Sequence, residues 1–266
     1  MTIRVCVAGA TGWAGSALSK GIFGAPDMEL AAGISRNQAG ESLGDVLGID
    51  GLTAPLFATM AESLGTKPDV VVEYTKPDVA KANILSALQG DAHVVVGTSG
   101  LSEDDYLEID AAAREVKRGV LAVGNFAITA VLLQKFAEIA ARYIPHWEII
   151  DYAHADKIDA PSGTARELAD RLSKVRESQL DVPLESMQGP RESRGVRLNG
   201  SQVHSVRLPG YVISLDAIFG MPDQKLSLRF ESGTSAEPYV DGALLAIRKV
   251  GGLIGVHRGL DKVMEF

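Results

Sequence analysis

The chain has 266 residues, 46% hydrophobic and 23% charged, the mix of an ordinary globular protein with enough material for one large core or two modest ones. A formal net charge of −8 argues against nucleic acid or an anionic membrane as a general partner, and no apolar run approaches the ~20 residues of a membrane helix. A single cysteine, Cys6, excludes an intrachain disulfide and, with no basic-then-apolar leader, sets the expectation of a soluble cytoplasmic protein.

The first half alternates strands and helices. Ile3–Ala8 alternates as a strand, a glycine-rich turn follows, and a helix runs to about Phe23. Glu29–Ile34 reads as a second strand. Val70–Tyr74, Val94–Val96 and Val120–Val123 are short, nearly continuous apolar runs, the pattern of strands buried on both faces of a parallel sheet. Val79–Leu88 and Glu103–Lys117 supply helices between them. This order predicts a Rossmann-type, doubly wound α/β sheet. Near Asn125 the pattern changes. Ile128, Val131, Leu132, Phe136 and Ile139 mark one face of a long helix. Trp147–His154 reads as a strand, and Thr164 with Glu167 as a capping box before Leu168 and Leu172. Gln179–Asn199 has the composition of a loop. From Val203 the chain reads as antiparallel strands, turning at Pro209-Gly210 and at Gly220–Asp223, with Leu226, Leu228 and Phe230 inward. Tyr239–Val250 is a closing helix. The expected division is a dinucleotide-binding domain over 1–125 and 235–266, with an inserted α/β domain over 126–234.

Gly9-Ala10-Thr11-Gly12-Trp13-Ala14-Gly15 lies between the first strand and the first helix. Glycines there permit a tight turn and let backbone N–H groups approach a pyrophosphate at the helix N-terminus. The end of the second strand reads Ile34-Ser35-Arg36-Asn37, without the carboxylate that binds the adenosine ribose of NAD. A hydroxyl and a guanidinium suit a 2′-phosphate, so NADPH is the expected cofactor, with NADH weaker.

The densest polar chemistry lies between Glu148 and Ala165, ending a strand and opening a helix. Backbone amides at Ser162, Gly163 and Thr164 would face a bound anion such as a carboxylate, with the Lys157 ammonium nearby. Asp151, Asp156 and Asp159 are read as groups that set the position and charge of Lys157. His204 reads as a structural histidine, Cys6 as core packing, and no His, Cys or Asp cluster has metal-ligand spacing.

The run Lys157-Ile158-Asp159-Ala160-Pro161-Ser162-Gly163-Thr164-Ala165 resembles the signature of the dihydrodipicolinate reductase family. Further segments match in the family's order: the turn at Gly9, Gly12 and Gly15; Tyr74-Thr75-Lys76-Pro77; Gly97-Thr98-Ser99-Gly100; Gly124-Asn125-Phe126; and His204–Gly210. The resemblance spans nearly the whole chain. It implies reduction of a cyclic dicarboxylate with NAD(P)H in lysine biosynthesis, by a homotetramer built through the inserted domain. It also implies that Lys157 orients substrate, and that Ser162, Gly163 and Thr164 hold a carboxylate. Thr98 then lies near the nicotinamide, while Tyr74, Thr75, Gly97, Asn125 and Phe126 line the cofactor.

The family carries two adjacent histidines before its lysine, the first being the proposed proton donor. Here those positions read Ala153 and His154. An arginine that many members carry before the last helix is also missing from Thr234-Ser235-Ala236-Glu237-Pro238. His154 is the remaining candidate acid. Three functions stand open: the family's own reaction, a divergent imine reductase acting on another imino substrate, and a non-catalytic NADPH-binding sensor.

Overall fold

The apolar runs of the first half become neighbours in one parallel sheet. In a computed structural model, which describes residues 2–266, its strands are β1 (Ile3–Ala8), β2 (Met28–Ile34), β3 (Leu56–Phe57), β4 (Val70–Glu73), β5 (His93–Val96), β6 (Gly119–Ala122) and, from the C-terminal end, β12 (Gly255–Arg258). They pair in the order β12-β6-β5-β4-β1-β2-β3, every pair parallel. Val5–Ala8, Val70–Val72 and Val94–Val96 are almost fully buried, as strands covered by helices on both faces must be. Between the strands run α1 (Trp13–Gly24), α2 (Leu43–Leu47), α3 (Met60–Ser63), α4 (Pro77–Gln89) and α5 (Glu103–Glu115). The strand order reverses between β1 and β4, which opens a crevice at the carboxyl ends of those two strands.

This sheet belongs to a compact unit that runs to Ile128 and resumes over Ala236–Phe266. A second compact unit is Thr129–Ser235. The units therefore part a few residues from the positions expected, 125/126 and 234/235. The resumed segment supplies α8 (Val240–Val250), buried along Ala243, Ala246 and Ile247, and then β12. The sequence reading ended on the helix. Gly-Val-His-Arg gives no strand signal, because β12 is an edge strand that buries only its first residue.

Within the second unit, α6 (Ile128–Tyr143) precedes a five-stranded sheet ordered β11-β10-β7-β9-β8. Its strands are β7 (His146–Ala153), β8 (Val196–Leu198), β9 (Ser201–Arg207), β10 (Ile213–Met221) and β11 (Gln224–Ser232), and α7 (Gly163–Ser173) packs on β7 and β9. All pairs are antiparallel except β7 with β9. Along β7 burial alternates, with Trp147, Ile149, Asp151 and Ala153 inward.

Three expectations are corrected here. The cap of α7 is Ser162, whose hydroxyl accepts from the Ala165 N–H; Thr164 lies inside the first turn, because the helix begins earlier than the Thr164–Glu167 pair suggested. Residues 179–199 are not all loop. Val196–Leu198 pairs with β9 through a two-residue turn at Asn199-Gly200, both with positive φ, the chemistry of a tight hairpin. In β11 only Phe230 is buried and Leu226 is 40% exposed, since this edge strand pairs with β10 alone and its first half lies beyond the core.

Candidate active site

The glycine turn after β1 is built by exclusion of side chains. Gly9 has φ +80°, and a Cβ there would press on the Tyr74 carbonyl. A Cβ on Gly15 would overlap the Gly9 carbonyl. The amides of Gly9 and Ala10 both donate to the Ile34 carbonyl, at 3.0 and 3.2 Å, which ties the turn to the end of β2. Gly12 is the N-cap of α1 and provides no side-chain cap. The first-turn amides of Trp13, Ala14 and Gly15 therefore lack intrahelical partners, the arrangement that receives a phosphate. Ala14 and Gly15 are buried, while Trp13 is 62% exposed and meets Tyr239 edge-on at 5.9 Å.

Beside the turn is a cavity of about 800 Å³. Gly9, Thr11, Ser35, Arg36 and Thr75 line it, and so do Lys76 and Thr59, which the sequence did not single out; Gly12, Trp13, Ala14 and Gly15 are not part of its wall. The Ser35 hydroxyl is almost buried; it lies 2.9 Å from Thr11 Oγ1 and donates to Gln38 Oε1 at 2.5 Å. Arg36 is exposed at the rim. The cavity is thus cationic on its open side and hydrogen-bonded on its inner wall.

At the ends of β4 and β5 the chain packs tightly. A Cβ on Gly97 would overlap the Tyr74 ring, which lies 6.1 Å from Phe126. Burial, and to a lesser extent the neighbouring Tyr239, push the Tyr74 hydroxyl up to about 12, so it stays protonated. Asn125 Oδ1 accepts from the Ala127 N–H at 2.9 Å and fixes the chain after β6. Thr98 is buried, its hydroxyl 3.2 Å from the Thr75 carbonyl. Beneath Thr75 and Thr98 sits Glu73, fully buried, a residue the sequence reading passed over as part of an apolar strand. It accepts from the Thr75 hydroxyl, from the Thr75 N–H at 2.9 Å and from Asn83 Nδ2 at 2.9 Å. Burial raises its carboxyl above the usual range, against these hydrogen bonds. Cys6 is core, as expected from its strand, and burial pushes its thiol up to about 12.

In the second unit the Lys157–Thr164 segment connects β7 to α7. Lys157 Nζ pairs with Asp159 Oδ1 at 2.7 Å, and this contact holds the Asp159 carboxyl below its usual range. His154 lies just past the end of β7, exposed, its Nδ1 2.6 Å from Asp156 Oδ1. The three aspartates therefore divide their work: only Asp159 meets Lys157, Asp156 meets His154, and Asp151 turns inward. The buried Asp151 carboxylate accepts from the Ser162 N–H at 2.8 Å and from Arg207 Nη2 at 2.7 Å. Arg207 also donates to the Asp159 carbonyl at 2.7 Å, so one ion pair braces both ends of the segment. With the Ser162 N–H committed to Asp151, the amides left for an anion at the start of α7 are those of Gly163 and Thr164. His204 is structural in its contacts, with Nε2 2.7 Å from Glu148 Oε2. Among the described residues no group of three His, Cys, Asp or Glu side chains could hold a metal ion. Nor, among the described residues, is any helix long and apolar enough to cross a membrane.

Comparison with known proteins covers both units. Residues 3–126 match the family model "Dihydrodipicolinate reductase, N-terminus" and residues 129–264 match "Dihydrodipicolinate reductase, C-terminus". The 4-hydroxy-tetrahydrodipicolinate reductase of Carboxydothermus hydrogenoformans is 38% identical, covering 98% of this chain and 99% of its own. That of Geobacillus kaustophilus is 35% identical over the full length of both. Among solved structures, dipicolinate-bound dihydrodipicolinate reductase from Paenisporosarcina sp. TG-14 superposes with a TM-score of 0.88 at 31% identity, covering 99% of this chain and all of that one. Amine dehydrogenase from Mycobacterium smegmatis, at TM-score 0.70 and 16% identity, shares the fold and covers 100% of this chain and 97% of that one. The chain is an oxidoreductase and belongs to the dihydrodipicolinate reductase family.

Proposed function

We propose that this chain reduces 4-hydroxy-tetrahydrodipicolinate, or the conjugated imine formed from it by loss of water, with NADPH, as a step of lysine biosynthesis. The observation that carries the reading is the conjunction, in one family member, of a tight glycine-spaced turn at Gly9–Gly15 with the Lys157–Thr164 segment. The turn fits a nicotinamide dinucleotide by a structural criterion. Gly9 and Gly15 let backbone pack directly on the Tyr74 and Gly9 carbonyls, which holds a tight turn in front of three helix-start amides that no side chain caps.

The nicotinamide ring would supply the hydride, and the protein's own groups do the rest. The amides of Trp13, Ala14 and Gly15 hold the pyrophosphate. Arg36, at the rim of the 800 Å³ cavity and without a competing carboxylate at the end of β2, takes the 2′-phosphate, which makes NADPH preferred over NADH. Ser35 serves mainly as a wall, because its proton is already given to Gln38. Tyr74, Gly97, Thr98, Asn125 and Phe126 shape the nicotinamide end. In the second unit Lys157 binds and orients the substrate, and stabilises charge as hydride arrives. A substrate carboxylate competes with Asp159 for the ammonium, and the amides of Gly163 and Thr164 hold a second carboxylate with the help of the α7 dipole. Dipicolinate, named with the Paenisporosarcina structure, has the two carboxylates such a site requires. Ala153 carries no proton to give. The proton is taken from water, with the exposed His154 a secondary source.

The same reading includes a homotetramer. The face of the second sheet away from α7 presents Ile150, Val206 and Ile218, each partly exposed and diagonal neighbours across β7, β9 and β10. Light scattering at micromolar concentration should give four times the chain mass; a strict monomer refutes this part.

A second reading is favoured by one observation. Ala153 is buried at the strand end where the family's pattern has a histidine, so the usual donor is gone. A divergent imine reductase acting on a different imino acid fits that change. Turnover of 4-hydroxy-tetrahydrodipicolinate, followed by NADPH absorbance, decides between them. Steady consumption supports the first reading. No consumption, with NADPH bound normally and another cyclic or acyclic imino acid reduced, supports the second. Ala153→His should raise activity under the first and not under the second.

A further inference from the structure

Glu73 is the one buried carboxylate at the mouth of the first unit's crevice, and its surroundings are unusual in a specific way. Every group that bonds it is a neutral donor: the Thr75 N–H, the Thr75 hydroxyl, Asn83 Nδ2, and the Thr98 hydroxyl at 3.5 Å. The Thr75 N–H can only donate, and the Thr75 hydroxyl and Asn83 Nδ2 are placed to donate, a set complementary to an ionised carboxylate, which is acceptor-only. None of these partners carries a charge that would cancel it. The side chain is fully buried, so water does not screen it, and its field extends further than that of a surface carboxylate.

The position of this charge follows from the topology. The cavity beside β2, with Ser35, Arg36 and Thr59 on one side and Thr75 and Asn83 bounding it on the β4 side, suits the adenosine half of a dinucleotide. The glycine turn after β1 suits the pyrophosphate. In a doubly wound sheet the second nucleoside then lies across the switch point, over the ends of β4 and β5. Glu73 is the last residue of β4, directly beneath Thr75 and Thr98. A reduced nicotinamide ring is neutral and an oxidised one is a cation. A fixed negative charge under that ring stabilises the oxidised form and the partial positive charge that grows as hydride departs.

We propose that Glu73 is an electrostatic element of the site, a buried anion that lowers the cost of forming the oxidised nicotinamide and so promotes hydride release to the substrate. This rests on the reading of the crevice as a nicotinamide dinucleotide site. The competing role is bracing: Glu73 could simply hold the Thr75 and Thr98 loops in place, which would affect both cofactor forms alike.

Titration of the whole protein with NADP+ and NADPH separately distinguishes them, because the ratio of the two dissociation constants reports charge and not shape. In Glu73→Gln the amide can keep the hydrogen bonds if Asn83 turns its own amide over. NADPH affinity should then change little, while NADP+ binds about ten-fold more weakly relative to it. Glu73→Asp retains the charge and should keep the wild-type ratio. Asn83→Lys, which sets an ammonium against Glu73 without altering it, should move the ratio as Glu73→Gln does, and it serves if the glutamine variant does not fold. An unchanged ratio in the charge-altering variant that folds, or a Glu73→Asp shift as large as that of Glu73→Gln, overturns the proposal while leaving the cofactor site intact. Failure of the wild-type protein to bind either form removes the crevice reading and this inference together.

Discussion

The crevice of the first unit and the Lys157–Thr164 segment of the second are built on opposite plans. The crevice is made of backbone. Its glycines admit no Cβ, its amides come from a helix start, and its polar side chains Glu73, Thr98 and Ser35 are buried. The second site is made of side chains. Lys157, Asp159, His154 and Asp156 are substantially exposed and held by ion pairs, with only the Asp151–Arg207 pair buried beneath them. A backbone-built site cannot change one residue without moving the chain. A side-chain-built site can exchange members while its frame stands. Of the departures from the family's pattern, Ala153 lies in the second unit and Thr234–Pro238 spans the boundary at Ser235/Ala236, while the turn after β1 keeps all three of its glycines.

The comparison breaks if the crevice proves tolerant. Gly15→Ala is the sharpest probe, because the new methyl overlaps the Gly9 carbonyl and neither backbone segment can step aside. Overpacking against backbone costs about 3 kcal/mol or more, which is over a hundredfold in an equilibrium. NADPH binding should be lost to calorimetry, with a lowered melting temperature. Near-normal affinity would mean that the turn is softer than its geometry says.

Lys157→Ala should act on the other plan. Removing one preorganised charge at a developing anion typically costs about a hundredfold in turnover. The frame held by Asp151 and Arg207 should survive, so the melting temperature and NADPH affinity should stay close to wild type. A loss of NADPH binding in this variant would show that the two sites are not separable in the way their construction suggests.

Arg36→Ala ranks below these. A charge-assisted hydrogen bond at an exposed rim contributes about 1.5 kcal/mol, or about ten-fold. NADPH should weaken by that factor and NADH hardly at all. Equal weakening of both would assign the 2′-phosphate to another cation, and Lys76 in the same cavity is the next to test.

The plan of each region also decided how much of it could be read from the residues. Parallel strands such as Val70–Glu73 and the turn at Gly9–Gly15 leave direct traces, since β-branched runs and spaced glycines have few other uses. Glu73 left none: a single carboxylate at the end of an apolar strand looks like the strand's boundary until its four donors are seen converging on it. Edge elements were the weakest. β12 buries one residue, and β8 was hidden in a polar segment even though its Asn199-Gly200 turn was present in the sequence. Side-chain pairing was legible in kind but not in partner. Three aspartates near Lys157 could each have met it, and which one does depends on the path of the chain after β7, where Asp151 points inward and Asp156 turns back to His154.

That choice of partner leads to the smallest effect and the finest test of the comparison. Lys157 is the first cause of the lowered Asp159 carboxyl, through a direct 2.7 Å contact. A carboxyl whose folded value lies below its unfolded one contributes stability that is present above the unfolded value, near 3.8, and is lost as pH falls through the lower, folded value. Both side chains are about a third exposed, so solvent screening limits the contribution to about 0.2–0.5 kcal/mol. In Asp159→Asn the melting temperature should therefore sit slightly below wild type at pH 6, and the two curves should converge as the pH is lowered past 3.8. Lys157 is also released from its internal partner. Because substrate then no longer competes with Asp159 for the ammonium, KM for the dicarboxylate should fall modestly, within about two-fold, while the NADPH constant stays fixed. A rise in substrate KM would show that Asp159 positions the lysine more than it competes for it, which would make the substrate side more rigidly built than its exposure implies.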